Sequence, residues 1–475
     1  MKAFLAFLFL ASLGPVSAAA EASRPNIILI LADDLGYADV GFNGCTDIKT
    51  PALDQLAETG IVCTTAYVAH PVCGPSRAAI MTGRYPHKFG AQCNIPPHHP
   101  EMGITKDETF IAQVLKDAGY TTALFGKWHL GSAPDYLPNQ RGFDEFFGIP
   151  GSGHKYFPEH YEALYNKVVA AGKENIEENI SPLIRNGEEA KETEYLTDAF
   201  SREAVDFVRK ASLREKPFFL FLSYNAPHSP LEAKEDDLEK YASIKNPARK
   251  KYAAMVHAVD RGVGELIDEL KATGEYENSL IVFLSDNGGK SGNTADNGPL
   301  RGGKRSVTEG GYRVPMFFHW PEKITHGSKF SHPVLALDLY PTFTALAGGK
   351  IPQGKHLDGK NIWQNLLDGS NPHGNEMIPV MSHWLGKTAT AGRFNEWKVT
   401  REAGKPWKLY NIEEDIGESN DLSSQYPERL EELVGGVKKW ADSHQKPLWH
   451  YNQSDMDLWK NVDGPYIEGT FDLKH

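Results

Sequence analysis

The 475-residue chain is short of several things, and each shortage excludes something. Beyond its first residues it has no apolar stretch of the roughly 20 residues needed to cross a bilayer, so no membrane span is expected. It has no surplus of positive charge: 50 Lys and Arg against 62 Asp and Glu give a formal charge of −12. That excludes a general attraction for nucleic acid or an anionic membrane, and an anionic ligand needs a local cationic pocket to hold it against the global field. There is no internal repeat and no low-complexity tract. Cysteine is sparse, at four residues: Cys45, Cys63, Cys73 and Cys93. In an exported chain these can make two disulfides; if Cys73 serves chemistry, the other three leave one bridge and one free thiol, or no bridge.

What is present begins with MKAFLAFLFLASLGPVSAAA. Lys2, an apolar run over Ala3 to Leu13 and the small residues Val16-Ser17-Ala18 or Ala18-Ala19-Ala20 read as a secretory signal peptide over 1–20. No cysteine follows that run to suggest a lipid anchor. The mature protein is expected to be soluble, and secreted or periplasmic.

The rest has ordinary globular composition, 40% hydrophobic. Aliphatic runs at Asn26–Leu31, Thr121–Phe125, Phe218–Leu222 and Leu280–Leu284 read as buried parallel strands. Helical patterns lie between them: one opened by Thr50 as cap and Pro51, then Asp107–Gly119, Thr197–Lys210 and Tyr252–Leu270. The expected fold is α/β: a large mixed, mostly parallel sheet sandwiched by helices over 24–372. After a break at Pro372-His373-Gly374, short strand-like pieces and a helix over Pro427–Trp440 suggest a smaller C-terminal α+β domain over 373–475, with an antiparallel sheet and one helix.

In parallel sheets, ligands bind beyond the carboxyl ends of the strands. Asp33-Asp34, Lys127-Trp128-His129, Asn225 to His228 and Asp286-Asn287 all follow predicted strands and can share one rim. Three carboxylates and an amide meeting there call for a hard divalent cation, which takes oxygen ligands. In CGPSRAAIMTGR, Cys73 lies near the start of a helix, where N–H groups and the dipole favour negative charge, and Arg77 follows about one turn later. A nucleophile placed there is activated. Arg77, Lys127, His129, His228 and Lys304 can surround a tetrahedral oxyanion and supply a proton donor and acceptor.

Cys73-Gly74-Pro75-Ser76-Arg77 followed by Met81-Thr82-Gly83-Arg84 resembles the signature of the formylglycine-dependent sulfatases, with Met81 where Leu is common, a volume-conserving swap. The resemblance extends through NIILILADDLGY, TPALDQLAETG, GYTTALFGKWHLG, NAPHSP, LSDNGG, LRGGKRSVTEGGYRVP and LYNIEEDIGESNDL, nearly the whole mature chain. It implies an alkaline-phosphatase-like fold and a sulfuric ester hydrolase acting on a sulfated carbohydrate. It implies that a separate maturase, formylglycine-generating or anaerobic, oxidises Cys73 to Cα-formylglycine during export. The hydrated aldehyde attacks sulfur, and its second hydroxyl then expels sulfate. By the same resemblance Asp33, Asp34, Asp286 and Asn287, with residue 73, hold Ca²⁺ or Mg²⁺. Arg77 supports the diol, Lys127 and Lys304 bind sulfate oxygens, His228 protonates the leaving oxygen and His129 takes the diol proton. His154, His383 and Arg393 are candidates for reading the sugar. Two alternatives stay open: a phosphomonoester or phosphodiester hydrolase of the same superfamily, and a catalytically silent carbohydrate-binding relative.

Overall fold

The structure, a computed structural model, describes residues 24–450 apart from 97, 98, 100, 173–180, 385, 386 and 403. The expected signal peptide lies outside the described residues. Strand Asn26–Ala32 is buried along its whole length, and its side chains alternate between two cores. Ile27, Leu29 and Leu31 enter one; Ile28 and Ile30 enter the other. A strand apolar on both faces needs cover on both. Helices Cys73–Thr82, Ile111–Asp117 and Leu339–Leu346 cover the first face. Helices Pro51–Thr59, Leu196–Ala211 and Pro247–Thr273 cover the second.

Five parallel strands form the middle of a ten-stranded sheet, in the order Ser279–Ser285, Asn26–Ala32, Phe218–Ser223, Thr121–Lys127, Glu145–Ile149. The flanks are mixed. Met316–His319 pairs antiparallel with Ser279–Ser285 and with Ile61–Cys63, while Leu183–Arg185 pairs antiparallel with Glu145–Ile149. Register then places the rim. Ala32 lies opposite Ser285, so Asp33 and Asp286 leave adjacent strands side by side. Gly126 lies opposite Ser223, so Lys127 emerges one residue beyond. Gly126 adopts φ 116, and a Cβ there would sit 1.9 Å from the Ser223 carbonyl oxygen. Only glycine permits that approach without moving the strand that carries Lys127.

Helix ends follow from local chemistry, with one correction. Asn246 caps Pro247–Thr273: its side-chain oxygen accepts from Ala248 N at 2.9 Å and Arg249 N at 3.3 Å. Thr50 does not cap Pro51–Thr59 with its side chain, which instead accepts from Gly41 N and donates to Asp54. Asp260, from the long helix, takes that role by accepting from Leu53 N at 2.9 Å and Ala52 N at 3.3 Å. Loss of water at this buried cap raises its carboxyl to about 6.

The C-terminal part is a four-stranded antiparallel sheet in sequential order: Ile378–Trp384, Lys387–Phe394, Trp397–Arg401, Lys408–Asn411. Helix Pro427–Ala441 packs Leu433, Val437 and Ala441 onto Met381, Val399 and Leu409. None of the four cysteines is paired in a disulfide among the described residues, so neither bridged pattern forms. Among the described residues, no helix is long and apolar enough to cross a membrane.

Candidate active site

Helix Cys73–Thr82 starts at Cys73 itself, three residues earlier than its helix-forming residues suggest. The chain enters extended through Val72, and Gly74 N donates to Asn94 Oδ1 at 2.9 Å. Cys73 Sγ therefore sits at the helix mouth, buried, 3.1 Å from Lys304 Nζ and 4.0 Å from Asp34 Oδ1. Arg77, also buried, does not reach back towards residue 73 with a free fork. It donates to Asp286 Oδ2 through Nε at 2.9 Å, Nη2 lies 2.8 Å from the same oxygen as an ion pair, and Nη1 goes to the Lys127 carbonyl and to Ser223 Oγ. It ties the ends of three neighbouring strands to the helix.

The four expected oxygen ligands do meet. Asp34 N donates to Asp286 Oδ1 at 3.2 Å, Asn287 Nδ2 donates to Asp34 Oδ1 at 2.7 Å, and Arg77 Nη2 lies 3.5 Å from Asp33 Oδ2. Lys127 Nζ bonds Asp33 and Lys304 Nζ bonds Asp34 at 2.7 to 2.8 Å. One donor atom each from Asp33, Asp34, Cys73 and His228 lies within 4.8 Å of the others. Asp286 stands outside that tightest group because Arg77 holds it. Asp34 and His129 both adopt φ 63, the left-handed region that non-glycine residues avoid. Such strain persists only where the surroundings impose it.

Electrostatics separate the carboxylates. Burial pushes all three upward. For Asp33, Lys127, His228 and Arg77 outweigh it and hold the group well below its usual range; for Asp34, Lys304 and His228 do the same. Asp286 keeps the upward shift, to about 7, from burial and from the Asp33 charge. Among the expected metal ligands, Asp33 Oδ1 and Asn287 Oδ1 are buried acceptors without partners. Orphaned acceptors beside an unrelieved carboxylate repulsion fit a hard divalent cation. Burial also pushes the Cys73 thiol up to about 12, despite Lys127 and Lys304. An unmodified thiol is thus a poor nucleophile here, contrary to the activation expected from the helix dipole.

His228 Nδ1 faces the Ser229 carbonyl at 2.7 Å, so that nitrogen carries hydrogen and Nε2 faces Asp34 at 3.6 Å. His129 is buried with neither ring nitrogen bonded, and burial, then Lys127 and Arg77, hold it well below its usual range. The three sugar-reading candidates lie elsewhere. His154 stacks on Tyr161 at 4.2 Å and lines a cavity of about 390 Å³ whose lining includes none of the cluster residues. His383 is buried 6.1 Å from the His87 ring, with Nδ1 against Thr388 Oγ1. Arg393 is buried too, donating to Tyr67 Oη at 2.6 Å and to the Asn395 carbonyl. Both lie on strands whose inward faces are packed, which removes them from a ligand-facing role.

Sequence reasoning missed Asn94 and Ser223, and it offered Tyr156 only as part of a sugar-reading loop. Ser223 bonds the Lys127 carbonyl at 2.6 Å, and Tyr156 Oη donates to the Asn225 and His228 carbonyls at 2.6 and 2.8 Å. The serine closing the apolar run FFLFLS was a visible signal, a hydroxyl where only aliphatics were needed. Asn94 carries no local signal.

Residues 25–349 match the sulfatase family. The chain belongs to that family. Residues 302–439 also match the C-terminal region of N-sulphoglucosamine sulphohydrolase. Arylsulfatase J of Mus musculus is 34% identical over 470 residues, covering 88% of this chain and 76% of the relative. N-acetylgalactosamine-6-sulfatase of Mus musculus is 34% identical over 428 residues, covering 87% and 78%. The crystal structure of Ps i-CgsB in complex with k-i-k-neocarrahexaose is 52% identical with a TM-score of 0.91, covering 94% of this chain and 100% of that one. As a sulfatase, the chain is a sulfuric ester hydrolase, and its large mixed sheet with an appended antiparallel sheet is the family's fold.

Proposed function

We propose that this sulfatase removes sulfate from a sulfated sugar, using residue 73 as nucleophile in its oxidised form. The observation that carries the proposal is the position of Cys73 at a helix mouth, against Lys304 and inside a cluster of carboxylates. Oxidised to formylglycine and hydrated, residue 73 supplies a hydroxyl nucleophile in place of a thiol that burial keeps protonated. Asp33, Asp34, Asp286 and Asn287 are the residues that would hold Ca²⁺, or Mg²⁺. Such an ion supplies Lewis-acid stabilisation of oxygen charge.

The remaining work belongs to side chains. Lysine ammonium groups have three donors each, so Lys127 and Lys304 can keep their aspartates and still bind sulfate oxygens. The cluster's three carboxylates are matched by Arg77, Lys127 and Lys304, so an added dication leaves a positive site for an anion whose charge grows as the S–O bond breaks. His228 acts as acid in its doubly protonated form: Nδ1–H stays on the Ser229 carbonyl, and the proton at Nε2, beside Asp34, goes to the departing sugar oxygen. Neutral His129, with both nitrogens unengaged, takes the proton from residue 73. Arg77 orients the strand ends.

The proposal includes export to the periplasm or exterior after removal of 1–20, oxidation of Cys73 by a maturase, and a division into a catalytic unit over 24–372 and a C-terminal unit over 373–475. Carbohydrate substrates are supported by relatives named for N-acetylgalactosamine-6-sulfate and by the Ps i-CgsB complex with k-i-k-neocarrahexaose. The test is turnover of paired 4-nitrophenyl sulfate and phosphate esters by matured enzyme, with sulfate release from defined sulfated oligosaccharides. Sulfate release from the aryl sulfate and from the sulfated oligosaccharides is expected; a strong phosphate preference, or no sulfate release, would overturn the proposal.

A further inference from the structure

Lys304 Nζ lies 2.7 Å from Asp34 and 3.1 Å from Cys73 Sγ, so its position matters to both. The chain that carries it is poorly placed to hold it still. Arg301, Gly302 and Arg305 are exposed, and Gly302 adopts φ 83. Exposed glycine backbone has the most conformational freedom to lose, so contacts from outside the segment must fix it.

Asn297 supplies them. It is 4% exposed, and its carboxamide makes three hydrogen bonds, all to backbone. Oδ1 accepts from Gly289 N at 2.9 Å, while Nδ2 donates to the Gly289 carbonyl at 3.0 Å and to the Gly302 carbonyl at 3.2 Å. Gly289 lies two residues past Asn287, and Gly302 lies two before Lys304. One amide therefore ties the loop of the carboxylate cluster to the loop of the lysine. Lys304 N donates to the same Gly289 carbonyl at 3.1 Å. The loops pack too closely for a side chain between them: a Cβ on Gly303 would sit 2.5 Å from the Gly289 carbonyl oxygen and 2.8 Å from Asn297 Nδ2.

The clamp is itself anchored. Asp296 N donates to Asp39 Oδ2 at 2.9 Å, and Ala38 N donates to the Asp296 carbonyl at 3.0 Å. Asp39 is buried, and Tyr252 Oη, from helix Pro247–Thr273, donates to the same Oδ2 at 2.7 Å. The other loop has ties of its own. Asp286 N donates to the Ala32 carbonyl at 3.0 Å, Ser285 Oγ to the Asn287 carbonyl at 2.8 Å and Gly288 N to the Gly311 carbonyl at 2.9 Å. Loss of the Asn297 amide should therefore be felt on the Lys304 side.

We propose that Asn297 is a positioning residue for the sulfatase reaction, acting through Lys304. Its amide sets where the glycine segment leaves the lysine, and so where the ammonium stands relative to residue 73. The inference rests on the reading of Lys304 as a sulfate-binding lysine. A misplacement of about 1 Å at a reacting site costs on the order of 100-fold in rate.

A double-mutant cycle tests the route. In matured full-length protein, kcat for 4-nitrophenyl sulfate is measured per folded, formylglycine-bearing molecule. K304A is expected to lower it about 100-fold or more. N297A is expected to lower it about 10- to 100-fold with Lys304 present, and less than about twofold in the K304A background, because the group it positions is then gone. N297D keeps the bond from Gly289 N and loses both donors, and it should repeat the pattern even if N297A folds poorly. A role in stability alone would leave kcat per folded molecule unchanged. Wild-type kcat in both Asn297 variants, or the same fold-loss with and without Lys304, would overturn the proposal. Wild-type turnover in K304A would remove both the reading of Lys304 and this inference; an impaired K304A beside unimpaired Asn297 variants would remove this inference alone.

Discussion

Two buried clusters of charge stand in this molecule, and they are finished differently. In the one joining the large sheet to the C-terminal sheet, Glu309 Oε1 meets Lys398 Nζ at 2.8 Å, and Oε2 accepts from Tyr67 Oη at 2.7 Å and Arg313 Nη1 at 3.2 Å. Glu418 Oε2 accepts Glu309 N at 2.7 Å, and Oε1 lies 3.0 Å from Lys398 Nζ, as an ion pair rather than an aligned hydrogen bond. In the cluster around Cys73, Asp33 Oδ1, Asn287 Oδ1 and both nitrogens of His129 are left over. Both clusters split their carboxylates. Burial pushes Glu309 up, but Lys398 and Arg313 outweigh it and hold the group at about 2 while Glu418 is raised, as Asp33 is lowered while Asp286 rises to about 7. The lesson is that split ionisation alone does not mark a reacting site. What sets the Cys73 cluster apart is that its unmet acceptors, Asp33 Oδ1 and Asn287 Oδ1, stand beside carboxylates that repel one another.

Substitutions should break the two clusters in opposite ways. Cys73→Ala should lower kcat by more than about 1000-fold with little change in the melting transition, read by aryl sulfate turnover and calorimetry. Wild-type rates in that variant would remove residue 73 from the chemistry. Lys398→Ala should do the reverse. Leaving Glu309 and Glu418 buried without their shared cation costs about 3–5 kcal/mol in denaturant unfolding, while the folded fraction keeps its turnover. A stability loss below about 1 kcal/mol would mean the network is open to water.

Chelation sharpens the contrast, because the proposal places an ion in the unfinished cluster and none in the other. Exhaustive chelation should lower activity and melting temperature together in wild type and in Lys398→Ala alike, and added Ca²⁺ should restore both. Indifference to chelation would remove the cation. The smallest effect concerns a third, uncharged group. His70 and His87 are buried and His444 is half-buried beside them; His87 stacks on His444 at 4.6 Å and lies 5.4 Å from His70. Burial lowers His70 and His444 to about 3 and His87 well below its usual value. Below the unfolded value of 6.5 the unfolded chain takes protons that the folded chain refuses, so stability falls as pH drops from 6.5 towards about 3. Each histidine contributes about 1.4 kcal/mol per pH unit to that slope. His87→Gln should make the acid limb shallower by that amount between about pH 6 and 4, and an unchanged slope would mean the pocket admits water.

The centre of the fold was legible because Asn26–Ala32 and Ser279–Ser285 are apolar on both faces and long enough for the pattern to register. The flanking strands Leu183–Arg185 and Glu188–Ala190 were not, since three residues carry no usable period and one face is solvated. The rim was legible because polar pairs follow each strand at once, and parallel register does the rest. Asn94, Glu309 and Lys398 were not, because their roles depend on partners 20 to 109 residues away that no local pattern announces. For Arg393 and His383 the sequence could not show that both are buried against partners of their own: a basic or aromatic residue on a strand faces ligand or interior according to which face the sheet buries.

The most direct test of the catalytic account is the mass of the peptide carrying residue 73, taken from fully active protein matured in a host that exports it. The account predicts the aldehyde of formylglycine or its hydrate at position 73. A free thiol or a disulfide there, in a preparation with full sulfatase turnover, would contradict it.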